Sequence, residues 1–204
     1  MEKKFILTDK FVINSFGIKL FQIKCTKSFK YAQKGDFGGY VEKEGNLDQK
    51  NDAWVSGNAR VFGNARVSSN ARVSDNARVS GDAWVSDNAW VSSNAWVSGN
   101  AWVSGDARVS GNARVSGDAW VSGNADIEND NEHCGFDGFG SCNRHTHAYM
   151  TKEKKVEIIC GCFRGSIEEF EKKVEETHSG TVYEKQYKSI INVIKIKFGL
   201  TDFT

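Results

Sequence analysis

Valine recurs at every sixth residue from Val55 to Val121, and Ile127 occupies the next position of the series. Alanine stands two residues before each member, and the residue between them is arginine or tryptophan until Asp126. A period of six cannot keep valine on one face of a helix with about 3.6 residues per turn. It does fit a short strand followed by a corner, because side chains alternate across a strand and place alanine and valine together on one side.

The repeating unit reads A-[RW]-V-S-[GSD]-[ND] and runs without an insertion from Ala53 to Ala125. Between Ser56 and Ser122, Phe62 is the only residue in the serine column that is not serine. The [GSD]-[ND] pair predicts the corners, because glycine, asparagine and aspartate tolerate left-handed dihedral angles. Strand-and-corner units of six residues stack into a parallel β-helix. The sequence contains no proline, which suits a backbone whose N–H groups are needed between coils.

This pattern resembles the hexapeptide repeat of left-handed β-helices, in which an aliphatic residue and a small residue four positions later point inward. Val55 and Ala59 match that motif, as do the pairs that follow. The resemblance implies a triangular left-handed coil of three hexads, so that equivalent positions lie eighteen residues apart. Upstream, Val41, Gly45 and Leu47 keep the hexad spacing, but Leu47 and Val55 are eight residues apart. We therefore expect a two-residue bulge in the first coil.

With eighteen-residue coils, the outward Arg/Trp column divides into three rows. The rows read Trp54, Arg72, Trp90, Arg108, Asp126; then Arg60, Arg78, Trp96, Arg114; and then Arg66, Trp84, Trp102, Trp120. Neighbours in a row are expected about 4.8 Å apart, the distance between paired strands, so that guanidinium and indole planes can stack.

The third row, with three indoles, predicts an apolar patch of a kind that usually meets a partner. The alternative is that the rows only stabilise the scaffold. The predicted partner-binding residues are Arg66, Trp84, Trp102, Trp120, Trp90, Trp96, Arg72 and Arg108.

Both ends of a β-helix must be covered, and the sequence offers a segment for each end. Residues 1–40 are predicted to form a small β cap, with two strands around a turn at Asn14–Gly17 and a loop after them. Residues 41–128 are assigned to the β-helix. Residues 129–204 are predicted to form a small α+β module, so that the whole chain is mainly β.

Within the C-terminal module, residues 128–145 read as a loop and the next segment as a hairpin that turns at Lys152–Lys155. Ser166 and Glu169 form a capping box that opens a helix, and Thr181 opens a second one. The inward faces of the two helices are predicted to carry Ile167, Phe170 and Val174, and then Tyr183, Tyr187, Ile190, Ile191, Ile194 and Phe198. The predicted module is therefore ββαα.

The two end segments are also similar to those of hexapeptide-repeat proteins from phages and prophages. At the N-terminal end, the matching motif is Gly38, Gly39, Tyr40 and Val41. At the C-terminal end, the matching residues are Cys160, Gly161, Cys162, Phe163, Gly165, Glu169, Phe170, Thr177 and His178, preceded by Gly140, Ser141 and Asn143. Cys142, His145 and His147 depart from that pattern. The resemblance implies a phage or prophage protein, but no activity comes with it.

Catalysis is not expected. The resemblance to hexapeptide β-helices implies acyltransfer as one possible activity, because many of them are acyltransferases with a histidine base, usually beside an inserted loop. Residues 53–127 contain neither a histidine nor an inserted loop. An acyltransferase therefore stays only as a remote alternative, and no cofactor is expected. Zinc is a further alternative, with candidate ligands Cys134, Cys142, Cys160, Cys162, His133, His145, His147 and His178. Buried structural thiols are the preferred interpretation, so no metal is predicted.

Charge argues against duplex DNA as a partner. Lysine plus arginine number 27 and aspartate plus glutamate 26, and residues 53–126 hold six arginines and six aspartates. A nucleotide or a single strand is more plausible, because bases can stack on indoles while arginine contacts phosphate. No stretch has the length of a membrane span, and the opening residues lack the apolar run of a signal peptide. Five cysteines, an odd number, suggest reduced thiols in the cytoplasm.

These observations predict a non-enzymatic phage or prophage accessory protein that binds a macromolecule through flat Arg/Trp faces. A host protein is the expected partner, as for an inhibitor of a bacterial defence system of the CRISPR type. A nucleotide or single-strand sponge is the alternative function. Self-association through Trp84, Trp102 and Trp120 is expected as well, because related left-handed β-helices pack side by side.

Overall fold

The computed structural model describes residues 3–200. The first two residues of the predicted cap and the last four of the predicted C-terminal module lie outside the described residues. Two-residue strands, β4 to β16, occupy the hexads, and each begins at the Arg/Trp position. Their bounds are Trp54–Val55, Arg60–Val61, Arg66–Val67, Arg72–Val73, Arg78–Val79, Trp84–Val85, Trp90–Val91, Trp96–Val97, Trp102–Val103, Arg108–Val109, Arg114–Val115, Trp120–Val121 and Asp126–Ile127.

Equivalent hexads pair in parallel at a spacing of eighteen residues, which confirms the predicted coil. Trp84 N donates to Ala101 O at 2.9 Å and Ser86 N to Val103 O at 2.9 Å, and the other coils repeat these bonds. Three sheets result: the β4 face (β4, β7, β10, β13, β16), the β5 face (β5, β8, β11, β14) and the indole face (β6, β9, β12, β15). The alanine and valine columns are buried between the three sheets and form the core. The chain is therefore a parallel β-solenoid of about five turns, as predicted.

The corners adopt the left-handed conformation that their composition predicts. The fifth residue of the unit has positive φ throughout, as at Gly99 (φ +67) and Ser93 (φ +58). The sixth residue forms side-chain ladders along the corners, since each asparagine amide of this column from Asn58 to Asn100 donates to the Asn or Asp oxygen one coil above. The longest of these ladders joins Asn58, Asn76, Asn94 and Asn112. Corner residues thus stabilise the stack of coils independently of the core.

The first coil contains the expected two-residue bulge. Val41 pairs with Val61, and Leu47 forms a bridge with Val67, so both partners are twenty residues apart instead of eighteen. A 3₁₀ turn at Glu44–Asn46 occupies the corner before Leu47. Regular eighteen-residue spacing begins with the next hexad, where Trp54 pairs with Arg72.

The N-terminal segment continues the β5 face as an antiparallel sheet. Strands β1 (Phe5–Ile13) and β2 (Lys19–Cys25) form the predicted hairpin, and β3 (Phe37–Val41) pairs antiparallel with β2 and parallel with β5. The loop expected after β2 therefore ends in a strand. Glycine is required there: a Cβ at Gly38 would lie 2.6 Å from Val55 O, and a Cβ at Gly39 would lie 2.7 Å from Ala59 O.

The C-terminal module contains two strands more than predicted. Its strands are β17 (His133–Phe139), β18 (Arg144–Met150), β19 (Val156–Cys160) and β20 (Phe163–Gly165), followed by helices α1 (Ile167–His178) and α2 (Val182–Lys197). The predicted hairpin is β18 and β19. The loop predicted for 128–145 is wrong over β17, which pairs antiparallel with β18 although glycine and aspartate give it little strand propensity.

The predicted helix starts are confirmed, and both helices pack on this sheet. Ser166 and Glu169 form the reciprocal capping box, and Thr181 Oγ1 accepts from Glu184 N. The buried face of α1 is the predicted one, and that of α2 carries Tyr187, Ile190, Ile191 and Ile194. Tyr183 and Phe198 are only half-buried.

Strand β18 closes the last coil. Tyr149 is fully buried at the end of the solenoid core, and its hydroxyl donates to Ser122 O at 3.3 Å. Thr151 forms an antiparallel bridge with Ala125, and Lys152 Nζ donates to Asp106 O at 2.8 Å. The module thus satisfies backbone groups that the end of a solenoid would otherwise expose. None of the helices in the described range 3–200 is long and apolar enough to cross a membrane.

Candidate functional site

The predicted partner-binding residues lie on all three faces of the solenoid. Arg66, Trp84, Trp102 and Trp120 form one column on the indole face, in the predicted order. Arg72, Trp90 and Arg108 form a second column on the β4 face. Trp96 stands on the β5 face between Arg78 and Arg114. The eight residues therefore form three separate surfaces, as the row arithmetic implied.

The indole face carries a continuous stack of tryptophans. The ring centroids of Trp84 and Trp102 are 5.3 Å apart with 6° between the planes, and those of Trp102 and Trp120 are 5.1 Å apart with 3°. The residues are 43%, 37% and 37% exposed in chain order. The parallel strands impose this stacking, since their spacing of about 4.8 Å matches an offset pair of rings.

Serines of the coil below hold the indoles on edge. Trp84 Nε1 donates to Ser68 Oγ at 2.8 Å, and Trp102 Nε1 donates to Ser86 Oγ at 3.2 Å. Trp90 and Trp96 make the same bond to Ser74 and Ser80 on the other two faces. This role of the serine column was not predicted from the sequence. A sequence signal for these hydrogen bonds exists: each serine acceptor stands sixteen residues before its tryptophan.

This arrangement decides which part of each ring a ligand can reach. The two faces of Trp102 are covered by Trp84 and Trp120, so the solvent meets ring edges. A planar base could enter the stack only if two neighbouring rings moved to about twice their contact distance. The hydrogen-bonded strands prevent this, because they hold neighbouring rings about 4.8 Å apart. Ring edges carry the positive part of the aromatic quadrupole and therefore favour carboxylates, carbonyl oxygens and the faces of other aromatic rings.

On the β4 face, arginine and tryptophan alternate in one column. The guanidinium carbon of Arg72 lies 4.2 Å from the ring centre of Trp90 and 5.1 Å from that of Tyr31, and that of Arg108 lies 5.8 Å from Trp90. Trp90 is half-buried, and Tyr31 from the N-terminal segment covers the lower part of the column. These cation–π contacts stabilise the face and leave less of it free than the indole face.

On the β5 face, the turn between β1 and β2 leans over the column that contains Trp96. Asn14 and Phe16 from the turn, Arg60, Arg78 and Trp96 from the column, and Phe62 from a corner line a small space, which we call the hairpin cleft. The rings of Phe16 and Phe62 are 6.2 Å apart. This cleft was not predicted from the sequence, although Phe62 is the one exception in the serine column.

Charges on the solenoid are segregated in a way that net charge conceals. In the described part of the chain, none of the arginines in the three rows forms a salt bridge. Every aspartate of the repeat except Asp126 stands at a corner and accepts other hydrogen bonds, as Asp75 does from Ser93 N at 3.0 Å and Asp118 from the Asn100 amide at 2.8 Å. The Arg/Trp columns of the indole face and the β5 face therefore contain no carboxylate, while the column of the β4 face ends in Asp126 beside Arg108.

The candidate zinc ligands are spread over the C-terminal module. Cys142 and Cys162 are exposed, Cys160 is buried, and Cys134 is half-buried in an apolar setting that raises the pKa of its thiol to about 11. His178 ends α1 and stacks on Tyr187. Across residues 3–200, no group of three histidine, cysteine or acidic side chains is placed to hold a metal ion.

Three of the histidines lie together above the indole face. His147 Nδ1 donates to Trp120 O at 3.1 Å, so its Nε2 is left as an acceptor for His133 Nδ1, also at 3.1 Å. The ring of His145 lies next to that of His147, with centroids 5.7 Å apart. Burial is the main cause that lowers the pKa of His147 to about 3, and the two neighbouring histidines lower it further. A neutral His147 therefore joins the C-terminal module to the last coil.

One protein family matches the repeat. The family described as YdcK Beta solenoid repeat matches residues 53–70, 71–87 and 107–123. All three segments lie within the hexad series, and each spans about one coil. No curated protein matches the chain. The matches and the observed coils agree that this is a β-helix repeat protein.

Proposed function

We propose that this β-solenoid is a non-enzymatic binding protein that docks an acidic surface of another protein on its indole face. The observation that carries the proposal is the stack of Trp84, Trp102 and Trp120, whose edges form an exposed and rigid apolar strip. Tryptophan is enriched among the residues that dominate binding energy at protein interfaces. Because the strands hold the rings in place, little side-chain entropy would be lost on binding.

Charge complementarity supports an acidic partner. Arg66 continues the indole column at its lower end, and Lys43 lines the same shallow depression beside Trp84. Asp82 also lines it, but its Oδ1 accepts a hydrogen bond from Asn64. A carboxylate-bearing apolar surface would therefore meet positive ring edges along the strip and two cationic groups at its foot.

A nucleotide or single-strand binder is the second candidate, and the geometry of the stack disfavours it on this face. Single-strand binding by stacking needs free ring faces, and here only the outer faces of Trp84 and Trp120 are left. A second copy of the chain is the third candidate occupant. The phage origin, the host defence factor as partner and the cytoplasmic location belong to this proposal and rest on the resemblance and the cysteine count.

The test compares occupants of the indole face. The combined variant Trp84→Ser, Trp102→Ser, Trp120→Ser is matched by Trp90→Ser, which removes a tryptophan from the β4 face. Circular dichroism first establishes that both variants fold. The proposal is supported if the wild type binds a purified partner and poly-glutamate inhibits that binding. The combined variant should lose this binding, and Trp90→Ser should keep it.

Three results would contradict it. The first is equal capture of partners by the wild type and the combined variant. The second is a light-scattering mass that is a multiple of 22.7 kDa for the wild type and 22.7 kDa for the combined variant. A second copy of the chain would then occupy the indole face. The third is strong quenching of tryptophan fluorescence by oligo-deoxythymidine, which would assign the face to a single strand.

A further inference from the structure

The C-terminal module contains a pocket of about 200 Å³ that lies outside the indole face, and we call it the C-terminal pocket. Its buried lining residues are Cys160, Phe170, Val174 and Tyr187, and Phe163 beside them is half-buried. These side chains come from the sheet and from both helices of the module. The pocket therefore has a mostly apolar interior, as sites for small organic ligands do.

Aromatic rings make up much of this lining. The ring centroids of Phe163 and Phe170 are 5.0 Å apart, and those of Phe170 and Tyr187 are 5.6 Å apart. His178 stacks on the other side of the cluster, 5.5 Å from Tyr187. Burial raises the pKa of the Tyr187 hydroxyl to about 12, so this ring is neutral. Because aromatic rings favour contact with other rings, the lining suits a planar ligand.

The charged residues of the pocket are basic. Arg144 and Lys173 line it and are exposed, and none of its lining residues within 3–200 is acidic. Arg144 forms no salt bridge in that part of the chain. Lys173 pairs with Glu176 at 3.7 Å, but both side chains are more than half exposed, and such a pair contributes little. An anion at the mouth would therefore meet cations that it can reach.

A glycine holds open the place of the arginine. Gly161, in the turn between β19 and β20, has a φ of +60, and a Cβ there would lie 2.5 Å from Arg144 Nη1 and 2.7 Å from Arg144 Cδ. The side chain of Arg144 thus packs closely over this turn. Glycine at 161 allows both the left-handed turn and the approach of the guanidinium to the pocket.

The pocket also brings together most of the motif that stands between residues 160 and 178. Of the nine motif residues in that range, six line the pocket: Cys160, Cys162, Phe163, Phe170, Thr177 and His178. Cys162 and Thr177 are exposed, so packing of the core does not explain their position. A ligand that occupies the pocket would contact both groups of residues, the buried and the exposed.

We propose that the C-terminal pocket binds a small aromatic carboxylate, with its ring among Phe163, Phe170 and Tyr187 and its carboxylate at Arg144. An apolar cavity of about 150 Å³ holds a benzene molecule. The C-terminal pocket, at about 200 Å³, has room for one ring and its carboxyl group. Hydrogen bonds from a guanidinium to a carboxylate are charge-assisted and give the pocket its preference for an acid. This inference does not depend on the function proposed for the indole face.

The experiment titrates the folded full-length protein with benzoate at millimolar concentrations. Benzamide is the neutral analogue of the same shape, and acetate is the carboxylate without a ring, both at equal ionic strength. Nuclear magnetic resonance follows the Nε–H group of Arg144 and the ring protons of Phe170 and Tyr187. We expect saturable shifts of these groups with benzoate and much weaker ones with the two analogues. Shifts with benzoate no larger than those with benzamide or acetate would overturn the proposal.

Substitutions at exposed lining residues test the site without disturbing the core. Arg144→Gln is expected to weaken benzoate binding about tenfold or more, because it removes a charge-assisted contact. Arg114→Gln, which removes the same charge from the β5 face, should leave the affinity unchanged. Thr177→Trp places a large ring at the mouth and should abolish binding, whereas Lys172→Trp adds the same ring to α1 outside the pocket and should not. Equal affinities within either pair of variants would refute the site.

Two cysteines provide a chemical readout in the wild-type protein. Cys162 and Cys142 are both exposed, but only Cys162 lines the pocket. Benzoate is expected to slow the alkylation of Cys162 by iodoacetamide and to leave the rate at Cys142 unchanged, as mass spectrometry of the two peptides would measure. The same rate at Cys162 with and without saturating benzoate would count against the proposal.

Discussion

The Nε1 atom of Trp102 lies 3.2 Å from the Oγ atom of Ser86, a residue of the preceding coil that is itself 5% exposed. This bond passes from coil to coil outside the backbone ladder and fixes the angle at which the ring stands on the sheet. Since the bond joins neutral groups, its removal costs about 1 kcal/mol. The serine column thereby becomes part of the indole stack.

We therefore expect Ser86→Ala to lower the free energy of unfolding by about 1 kcal/mol in denaturant titrations. Ser92→Ala is the matched control, since sixteen residues after Ser92 stands Arg108 and no indole N–H loses an acceptor. That control is expected to change stability by less than about 0.5 kcal/mol. Equal losses in both variants would show that the serines act by packing alone.

A second prediction concerns contact between coils at the corners. Gly99 and Gly117 share nearly the same φ, +67 and +68, so alanine pays a similar backbone penalty of about 1 kcal/mol at either position. A Cβ at Gly99 would lie 2.8 Å from Gly117 N, whereas a Cβ at Gly117 has nothing within 4 Å. Gly99→Ala is therefore expected to destabilise the protein by about 1–3 kcal/mol more than Gly117→Ala. Thermal unfolding of the two variants measures this difference, and equal losses would contradict direct contact.

Acid is expected to weaken the attachment of the C-terminal module. The pKa of His147 is lowered from 6.5 to about 3. Between these two pH values the unfolded chain therefore binds a proton at this residue and the folded chain does not. The free energy of unfolding should then fall as the pH drops below 6.5, with a slope that approaches about 1.4 kcal/mol per pH unit. The lowered pKa of His133 adds in the same direction.

His147→Gln removes this titration, and its stability is expected to depend less on pH between 6.5 and about 5. Above that range the wild type should show no slope from this residue. An identical slope in the wild type and in His147→Gln would contradict the assignment of the titration to His147.

A fourth prediction tests the exception to the repeat. Phe62→Ser restores the consensus of the serine column, yet it removes a ring that is 7% exposed and should cost about 3 kcal/mol or more. Phe16→Ser removes the facing ring, which is 64% exposed, and should cost less than about 1 kcal/mol. Denaturant titration of both variants decides the matter. A neutral or stabilising Phe62→Ser would mean that consensus at this position outweighs burial.

The sequence alone predicted the solenoid because its constraints are local and repeat. Valine at every sixth position defines the strand, the next residues define the corner, and eighteen-residue pairing such as Trp102 with Trp120 follows from counting. The two-residue bulge before Trp54 followed in the same way.

The terminal segments were harder to predict because tertiary packing decides their structure. Strand β17 contains two glycines and an aspartate and forms through its pairing with β18, which no local pattern indicates. The hairpin cleft was missed for a similar reason, since Asn14 and Arg60 meet only when β3 joins the N-terminal sheet to the β5 face. Row membership was predictable for the tryptophans, but the hydrogen bonds that orient Trp84 and Trp102, to Ser68 and Ser86, were not predicted.

The coil of three hexads sets the relative orientation of the two ends. The turn before β2 leans on the β5 face, and His147 is attached to the indole face through Trp120. Loss or gain of three hexads would change the distance between these ends by one strand spacing of about 4.8 Å and keep their angular phase. Loss of a single hexad would rotate one end by a third of a turn relative to the other. Tandem duplication can thus lengthen the tryptophan strip by whole coils. The end segments keep their positions around the axis only when the number of added hexads is a multiple of three.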